Sequence, residues 1–317
     1  MLVLPIIQEE TSNQTLISFL KKRLQTTPLS LIYKLFRTKK IKVNDKDVRY
    51  YHYRLKIGDE VKIFDNSLKV SDFNISPTPK PVETNFTIIY QDQNILIVLK
   101  EHGITMPSLD NMVRYYLSKE EPDKYQKQLR EFFTLTAIHR LDKLTKGLVI
   151  YPKNSLAKRI LYKAISDKEK ITKKYLALVE SSPKKIPNYI EGYLRKDEKE
   201  KRMKFGWKEN SPNSKFCALE MKKIKEMSNY QLLEITLWTG RKHQIRSILS
   251  FFGCPIIGDK KYGSKITLEN KIYLLAYQIW FGNLLTPLNY LNGQIFQAKG
   301  WENELKEWRI NKKKILI

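Results

Sequence analysis

Two segments with helical periodicity open the chain. In residues 15–26 the apolar side chains fall on one helical face and the basic side chains fall on the other. A second segment of this kind is LSLIYKLFRTKK, and short alternating strands follow it in IKVN and RLKIGDEVKIF. The pattern predicts a small basic domain of two helices and a few strands within residues 1–74.

The hydrophobic pattern changes after residues 75–85, where three alternating prolines predict an extended linker. From there on, apolar runs of strand length are separated by three stretches with helical periodicity. The predicted strands are two in FTIIYQDQNILIVLKEHG, then GLVIYPKN, ITKKYLALVE, YQLLEITLW and KIYLLAYQIWF. The predicted helices are residues 109–131, SLAKRILYKAISDK after its N-cap Asn154, and RKHQIRSILSFFG, which ends at Gly253.

Many of these strands follow one another too closely for the crossover connections that parallel strands need. We therefore expect an α+β fold, with a central mixed, mostly antiparallel sheet flanked by helices and loops. The expected organisation is an N-terminal domain at 1–74, the linker at 75–85 and a second domain at 86–317.

Charge bears on the partner of this protein. The 317 residues include 58 Lys and Arg against 33 Asp and Glu, a formal charge of +25. The positive electrostatic field of this charge attracts phosphates and favours nucleic acid as the partner. One alternative is an acidic membrane surface. The other is that an A+T-biased genome inflates the Lys content and the charges are only solvated. The sequence has neither an apolar run of the ~18–20 residues that a membrane helix needs nor a basic leader, and its two distant cysteines predict free thiols. We expect a cytoplasmic monomer that binds no membrane.

One acidic residue, Asp142, lies among basic neighbours in TAIHRLDKLTKGLVIYPKN, directly before a predicted buried strand. A surface ion pair would stabilise the fold by less than ~1 kcal/mol and would require no further motif. The other interpretation is a reacting carboxylate, which basic side chains keep ionised where water is excluded. An Arg that binds this carboxylate in bidentate fashion would also fix its direction.

Two further segments carry side chains that could meet Asp142. On the strand ITKKYLALVE, alternation places Tyr175 at the edge of an apolar row, where a phenol can be half-buried with a free hydroxyl. On the helix RKHQIRSILSFFG the apolar side chains face the core, and Arg246 projects outward from the other side. Gly240 would allow a tight turn before this helix. An ordinary strand residue and a solvated helix charge are the alternatives for Tyr175 and Arg246.

The segments HRLDKLTKGLVIYPKN and TGRKHQIRSILSFFGCPIIGDKKYG, at this spacing, resemble the RluA-type pseudouridine synthase family. That family isomerises uridine to pseudouridine within RNA. The resemblance extends over roughly residues 84–285, because KKYLALVE and IYLLAYQIWF also fall at the positions of family segments. It implies RNA as the partner.

The resemblance implies a role for each matching residue. Asp142 corresponds to the catalytic aspartate, which attacks or stabilises the ribose carbon, and Arg246 to the basic residue that pairs with it. Tyr175 corresponds to the tyrosine that stacks on the target base and takes up a ribose proton. Arg140 corresponds to an arginine that enters the RNA stack as the target base leaves it. The implied substrate-binding residues are His139, Arg140, Leu141, Arg241, His243 and Ile245. The isomerisation exchanges no electrons, so we expect neither a cofactor nor a metal.

The N-terminal domain resembles the S-four-type RNA-binding domain, in the lines LSLIYKLFRTKKIKVNDKDV and YRLKIGDEVKIF. Together with the second domain, this resemblance implies the branch of the family that modifies large-subunit ribosomal RNA. The RNA contacts that it implies are Lys34, Arg37, Lys39 and Lys40. A solvated helical face is the alternative for these side chains.

This sequence departs from the family pattern at several positions. Glu101 and His102 replace Pro-Ala in a usual Lys-Pro-Ala-Gly, Lys146 replaces a Ser, and one strand ends in LVES rather than with Gly. None of these changes removes an implied catalytic group, so they bear on RNA contacts. Three other functions stay open: a non-catalytic RNA-binding assembly factor, an enzyme that hydrolyses the glycosidic bond, and a synthase acting on transfer RNA.

Overall fold

The structure of the chain is a computed structural model. The described residues are 2–4, 14–24, 27–56, 58–65, 68, 79, 81–130, 133, 135–182, 186–209, 211–227, 229–266 and 268–298. Five residues of the predicted linker at 75–85, namely 75–78 and 80, lie outside them. The chain forms two compact units. One comprises Met1–Glu83, Asn111–Leu135 and Asn154–Leu156, and the other comprises Thr84–Asp110, Thr136–Lys153 and Ala157–Ile317.

Short elements build the N-terminal part of the first unit. In chain order they are β1 Leu2–Val3, α1 Leu16–Arg23, α2 Leu29–Arg37, β2 Ile41–Val43, β3 Lys46–Asp47 and β4 Val61–Ile63. The strands form a sheet in the order β1-β4-β2-β3, and apolar residues of both helices and of the sheet share one core. The predicted helices and strands are present here.

The hairpin between β2 and β3 shows how the local sequence sets this fold. Asn44 and Asp45 both adopt left-handed backbone angles, with φ of 50° and 62°. Consecutive left-handed residues give the two-residue turn whose twist matches that of antiparallel strands, and Asn and Asp tolerate it well. The side-chain amide of Asn44 also donates to buried Asp59 at 2.8 Å, which ties the turn to the chain before β4.

The rest of the chain adds ten strands and four α-helices within the described residues. The helices are α3 Met106–Glu120, α4 Pro122–Arg130, α5 Ser155–Ala164 and α6 Gln244–Phe251. The strands are β5 Phe86–Gln91, β6 Ile95–Lys100, β7 Lys146–Pro152, β8 Ile171–Glu180, β9 Tyr189–Asp197, β10 Arg202–Gly206, β11 Lys215–Met227, β12 Tyr230–Leu237, β13 Leu274–Phe281 and β14 Ile295–Gln297.

These ten strands form one sheet in the order β10-β9-β11-β12-β8-β13-β7-β6-β5, with β14 also paired to β13. Only β13 and β7 run parallel, and the other pairs of the described strands are antiparallel. The expected α+β class with a mixed, mostly antiparallel sheet is therefore confirmed. The helical structure predicted at 109–131 is present, and it is divided into two helices because Pro122 cannot continue α3 and instead begins α4.

The centre of the sheet is where the functional segments meet. Strands β6 and β7 are buried almost throughout, and β8 lies on the far side of β13 from β7. Gly147 makes the parallel contact possible, since a Cβ at this position would lie 2.4 Å from the Cβ of Ala276 on β13. Its φ of 145° is also one that other residues rarely adopt.

No helix in the described part of the chain is both long enough and apolar enough to cross a bilayer. Nor do three His, Cys, Asp or Glu side chains among the described residues come together as a group that could hold a metal ion.

Candidate active site

The second unit contains a cavity of about 380 Å³, within the range of sites that hold small molecules. Its walls come from the segment before β7, from the turn before β8 and β8 itself, and from the segment between β12 and α6. All nine predicted residues of the second domain line it: His139, Arg140, Leu141, Asp142, Tyr175, Arg241, His243, Ile245 and Arg246. Residues that lie up to 107 positions apart in the chain, from His139 to Arg246, are thus brought to one place.

Asp142 lies in a turn directly before β7. Its backbone carbonyl accepts a hydrogen bond from the Thr145 amide at 3.0 Å, which closes this turn. The carboxylate is 17% exposed and faces the cavity. Its Oδ2 accepts a hydrogen bond from Arg246 Nη1 at 3.2 Å, whereas Oδ1 lies 3.6 Å from His243 Nε2. One carboxylate oxygen is thus held by a cation, and the other has no hydrogen bond within the described residues.

Arg246 is buried, with only 5% of its surface exposed, so the outward projection expected from the helix pattern is wrong. The residues that cover it follow α6 in the chain. Asp259 forms the bidentate pair, through Nε–Oδ2 at 2.6 Å and Nη2–Oδ1 at 2.8 Å. Only the third nitrogen, Nη1, is left for Asp142, so the bidentate contact expected at Asp142 is also wrong.

The two carboxylates that contact Arg246 have different tasks. Asp259 holds the guanidinium in place, and Asp142 receives its remaining donor. Burial opposes the charge of Arg246, but the hydrogen bonds that it donates to Asp259 and the charges of Asp259 and Asp142 raise its pKa above the ordinary value. Asp259 is 1% exposed and fixes the guanidinium plane, which in turn fixes the direction of the donor that meets Asp142.

His243 is held as a neutral side chain beside Asp142. Burial lowers its pKa to about 4, against the opposing effect of the Asp142 charge. Its Nδ1 lies 2.9 Å from the hydroxyl of Tyr262, and that hydroxyl also accepts a hydrogen bond from the Met203 amide at 3.0 Å. The hydroxyl proton is then available to Nδ1, and this network assigns the imidazole proton to Nε2, which faces Asp142.

The turn before α6 depends on side chains rather than on Gly240. His243 is the residue in the left-handed conformation, with φ of 52°, and Gly240 has no such angle. Gln244 is buried; its Oε1 accepts from Thr239 Oγ1 and from the Arg241 amide, and its Nε2 donates to the Ala218 carbonyl. The prediction that Gly240 makes the turn is therefore wrong, and Gln244 holds it instead.

Tyr175 is more deeply buried than the half-buried phenol that we expected, because β12 and β13 flank β8 on both sides. Its side chain is 5% exposed and lines the cavity. Burial, and then the nearby charge of Asp142, raises the pKa of its hydroxyl above the ordinary value. At rest the group is therefore a neutral phenol, and its hydroxyl forms no hydrogen bond with the described residues.

Lys100, the last residue of β6, connects the loop that follows this strand to the backbone next to Asp142. Lys100 is fully buried and donates to the carbonyls of Glu101, Ile104 and Lys143 at 2.9–3.2 Å. Burial lowers its pKa to about 8, and the charge of Asp142 acts in the opposite direction. It therefore fixes the backbone next to the catalytic candidate.

Three of the departures from the family pattern, Glu101, His102 and Lys146, contribute to contacts between these two loops. Glu101 and Lys146 form an ion pair at 2.9 Å, and His102 Nδ1 lies 2.7 Å from the Leu144 carbonyl. The Lys146 that stands in place of Ser thus meets the Glu101 that stands in place of Pro. These changes join the loops to each other, and they leave Asp142 and Arg246 in contact.

The remaining predicted residues lie at different depths. Leu141 and Ile245 are buried in the cavity wall, whereas Arg140 and Arg241 are exposed. The guanidinium of Arg241 donates to the Phe216 carbonyl at 2.9 Å, so part of its role is structural. His139 accepts a hydrogen bond at Nε2 from the Ile150 amide of β7.

Sequence reasoning missed four residues that shape this site: Asp259, Tyr262, Gln244 and Lys100. Two of them lie in GDKKYG, which was quoted for the family resemblance without a role for its side chains. This segment forms a short 3-10 helix, Lys260–Tyr262, beside α6. The signal for these two residues in the sequence was an acidic and an aromatic side chain, Asp259 and Tyr262, shortly after the helix that carries Arg246.

The four basic residues predicted in the N-terminal domain are all exposed: Lys34, Arg37, Lys39 and Lys40. They lie at the end of α2 and in the turn that leads to β2. None of them forms an ion pair with the described acidic residues.

Comparisons with known proteins identify one family. The family model described as RNA pseudouridylate synthase matches residues 94–251, which include Asp142, Tyr175 and Arg246. A protein of Mycoplasma capricolum described as an uncharacterized RNA pseudouridine synthase is 40% identical over 301 residues, which cover 92% of this chain and 95% of that protein. The ribosomal large subunit pseudouridine synthase C of Buchnera aphidicola subsp. Acyrthosiphon pisum is 34% identical, with 82% of each chain covered.

Among solved structures, human RNA pseudouridylate synthase domain containing 1 is similar to this chain with a TM-score of 0.52. The similarity covers 73% of this chain and 97% of the human one, at 19% sequence identity. At this identity the likeness concerns the fold.

Proposed function

The chain belongs to the RNA pseudouridine synthase family, and from this premise we propose that it isomerises uridines of large-subunit ribosomal RNA by means of Asp142. The observation that carries the proposal is the position of the Asp142 carboxylate. It lies in the cavity with Oδ2 held by buried Arg246 and with Oδ1 left for a substrate atom.

The reaction sets the chemical requirements of this site. The bond between ribose C1′ and uracil N1 breaks, the uracil turns, and a bond forms between C1′ and C5. The proton lost from C5 is balanced by one gained at N1, and no electrons are exchanged. The difficult step leaves C1′ short of electrons, and a carboxylate can bond to that carbon or balance its charge.

The cavity suits this step because its charges are fixed before the substrate arrives. Arg246 is bound on one side by Asp259, so its contact with Asp142 does not have to form during the reaction. Neutral His243 presents its Nε2–H to the same carboxylate without adding a full charge. The Asp142 carboxylate is therefore already oriented beside a fixed cation when the substrate arrives.

A base paired or stacked within RNA cannot reach a buried carboxylate, so the target nucleotide must leave the stack, which costs about a few kcal/mol. The aromatic ring of Tyr175 lines the cavity where the uracil would lie. Exposed Arg140 is adjacent in sequence to the Asp142 turn and can enter the space that the base vacates.

We assign to Tyr175 the transfer of the ribose proton, in which its hydroxyl accepts one proton and releases another. A neutral phenol accepts a proton only while it releases its own, so a resting phenolate is not part of this mechanism. We expect Tyr175→Phe to lower the single-turnover rate about a hundredfold to a thousandfold, within the usual range for proton transfer, while RNA affinity stays the same because the ring remains.

Rates and dissociation constants for Tyr175→Phe are to be compared with those for Tyr162→Phe, which removes a hydroxyl from an exposed position on α5. If Tyr175→Phe keeps more than about a tenth of the native rate, its ring alone matters and the proton has another acceptor.

Ribosomal RNA is proposed because relatives that are 34% identical over most of the chain carry the name ribosomal large subunit pseudouridine synthase C. The exposed cations at and just after the end of α2 support it, since exposed Lys and Arg side chains can contact the phosphates of folded RNA. We assign these to an S-four-type domain at 1–74 joined to the catalytic domain at 86–317. We further propose a cytoplasmic monomer, because the proposed substrate is ribosomal RNA and one chain supplies all nine predicted residues of the cavity.

The test is to incubate the purified protein with unmodified large-subunit ribosomal RNA and, separately, with unmodified transfer RNA, and to map pseudouridine at each position. We expect new pseudouridines at defined sites of the ribosomal RNA. Modification of transfer RNA alone would show that the proposed substrate is wrong.

A further inference from the structure

The cavity contains basic side chains that the reaction just described does not use. Lys173 lies on β8, two residues before Tyr175, so both side chains point to the same side of the strand. It is 8% exposed and lines the cavity together with Lys168, from the turn before β8, and His139. Within the described part of the chain, neither ammonium group forms an ion pair or a hydrogen bond.

The imidazole of His139 adds an unused donor. Its Nε2 accepts a hydrogen bond from the Ile150 amide, so the neutral ring carries its proton on Nδ1. That Nδ1 is buried and has no hydrogen-bond partner among the described residues. Burial and the charges of Lys173 and Lys168 lower the pKa of His139 well below the ordinary value.

The electrostatics of the three groups indicate a missing anion. Burial, and next the charge of Lys168, lowers the pKa of Lys173 to about 7, and burial also lowers the pKa of Lys168. Buried charges in proteins are normally paired, because an unpaired one loses its hydration without compensation. Here the cations repel one another and meet no carboxylate, so a negative group from outside the protein would relieve both costs.

We propose that Lys173, with Lys168 and His139, binds a backbone phosphate of the RNA inside the cavity, next to the nucleotide whose sugar meets Asp142. This inference rests on the proposed function, since RNA supplies a phosphate on each side of the target nucleoside. Two ammonium groups and one neutral N–H supply donors for the two free oxygens of a phosphodiester, and its negative charge offsets part of their positive charge. A uracil edge offers carbonyl oxygens but no net charge to balance the cluster.

The contact has a consequence for catalysis. A phosphate held by side chains of the cavity wall fixes the position of the sugar attached to it, and the sugar carries the C1′ that must approach Asp142. Lys173 is thus a positioning residue. Its location on the strand of Tyr175 would place the backbone anchor and the base contact on one rigid element.

The test is a binding comparison with neutral linkages. A stem-loop of large-subunit ribosomal RNA that the native protein binds is prepared with each phosphate of the loop replaced in turn by an uncharged methylphosphonate. Dissociation constants are measured for the native protein and for Lys173→Met. We expect one replacement to weaken binding to the native protein about tenfold. The same replacement should leave the dissociation constant of Lys173→Met unchanged, because this variant lacks the contact and already binds the ordinary RNA about tenfold more weakly than the native protein.

Lys163→Met is the matched control, because it removes the same charge from an exposed position on α5 that does not line the cavity. It should bind within about twofold of the native protein and keep the full effect of the neutral linkage. Lys173→Met should unfold at no lower temperature than the native protein, since it removes an unpaired buried charge.

Two results would overturn the proposal. In the first, no single replacement weakens binding to the native protein by more than about twofold, a result that needs no variant to fold. In the second, the replacement weakens native and Lys173→Met equally, which would mean that Lys173 contacts another group such as a uracil carbonyl. Binding does not depend on turnover, so an absence of pseudouridine in this RNA would contradict the proposed function without deciding the phosphate site.

Discussion

Asp142→Asn is expected to lower the rate of pseudouridine formation by at least about a thousandfold, which corresponds to ~4 kcal/mol of barrier. The amide has the shape of the carboxylate but no negative charge for the electron-poor C1′ and no anionic oxygen to bond with it. The measurement is pseudouridine content of the RNA over time, with enzyme in excess, so that product release does not limit the rate.

The structure predicts that this loss comes without unfolding and without loss of RNA binding. Arg246 keeps both hydrogen bonds to Asp259 when Asp142 is changed, so no buried cation is left unpaired. The dissociation constant for RNA should stay within about threefold of the native value. A variant that binds normally and forms product at more than about a tenth of the native rate would remove Asp142 from the chemistry.

Asp259→Asn is expected to cost about 3–5 kcal/mol in the free energy of unfolding, the usual effect of removing one partner of a buried pair. Asp259 and Arg246 are 1% and 5% exposed, so water cannot replace the lost carboxylate. The measurement is denaturant unfolding of the native protein, of Asp259→Asn and of Asp142→Asn as the matched control. The control removes a carboxylate from the same guanidinium but should cost less than ~1 kcal/mol, because it has a single, more exposed contact.

Asp259→Asn should also slow the reaction under conditions in which it stays folded. Without its bidentate partner the guanidinium of Arg246 can rotate, and the direction of the Asp142 carboxylate is no longer fixed. If Asp259→Asn and Asp142→Asn lose equal stability, the two carboxylates share the cation equally, and the division of tasks inferred here is wrong.

The elements that build the site could largely be read from the sequence because their signals are local. The strand predicted at ITKKYLALVE is β8 Ile171–Glu180, and GLVIYPKN contains most of β7 Lys146–Pro152. In each case a short apolar run is enough to specify a buried strand. Strands β9 and β11 were not predicted, since much of their surface is exposed and charges interrupt the apolar alternation.

The order of the strands could not be read in the same way. Strand β13 lies between β8 and β7, so its partners are about 100 or more residues upstream in the chain. Periodicity describes one element at a time and contains no information about which distant edge it will meet. The family resemblance, rather than periodicity, was what placed Asp142, Tyr175 and Arg246 at one site.

The environment of Arg246 was missed for a related physical reason. Helical spacing assigned it to a polar face, but α6 is buried nearly all round, and the segment that follows the helix covers that face with Asp259 and Tyr262. A charge on a helix surface and a charge buried with a partner from another segment give the same pattern in sequence. Only the tertiary contact separates them.

Glu101 and Lys146, which depart from the family pattern, are explained only when they are considered together. Considered one at a time, each placed an extra charge near the site and cast doubt on its RNA contacts. Their ion pair at 2.9 Å shows that they contact each other, so the two changes belong together. A residue that departs from the family pattern can thus be explained by a second departure 45 positions away in the chain.

The most direct measurement of the central claim, that a positioned carboxylate acts on C1′, is the release of tritium from RNA labelled at uracil C5, since the C1′–C5 bond cannot persist without loss of that hydrogen. Asp142→Glu keeps the charge but moves the carboxylate one methylene further along the side chain. In single turnover the native protein should release the label in one fast phase, and Asp142→Glu should release it at least about a hundredfold more slowly at equal RNA affinity. Release by Asp142→Glu at the native rate would contradict the claim, because charge alone, without the direction fixed by Arg246 and Asp259, would then suffice.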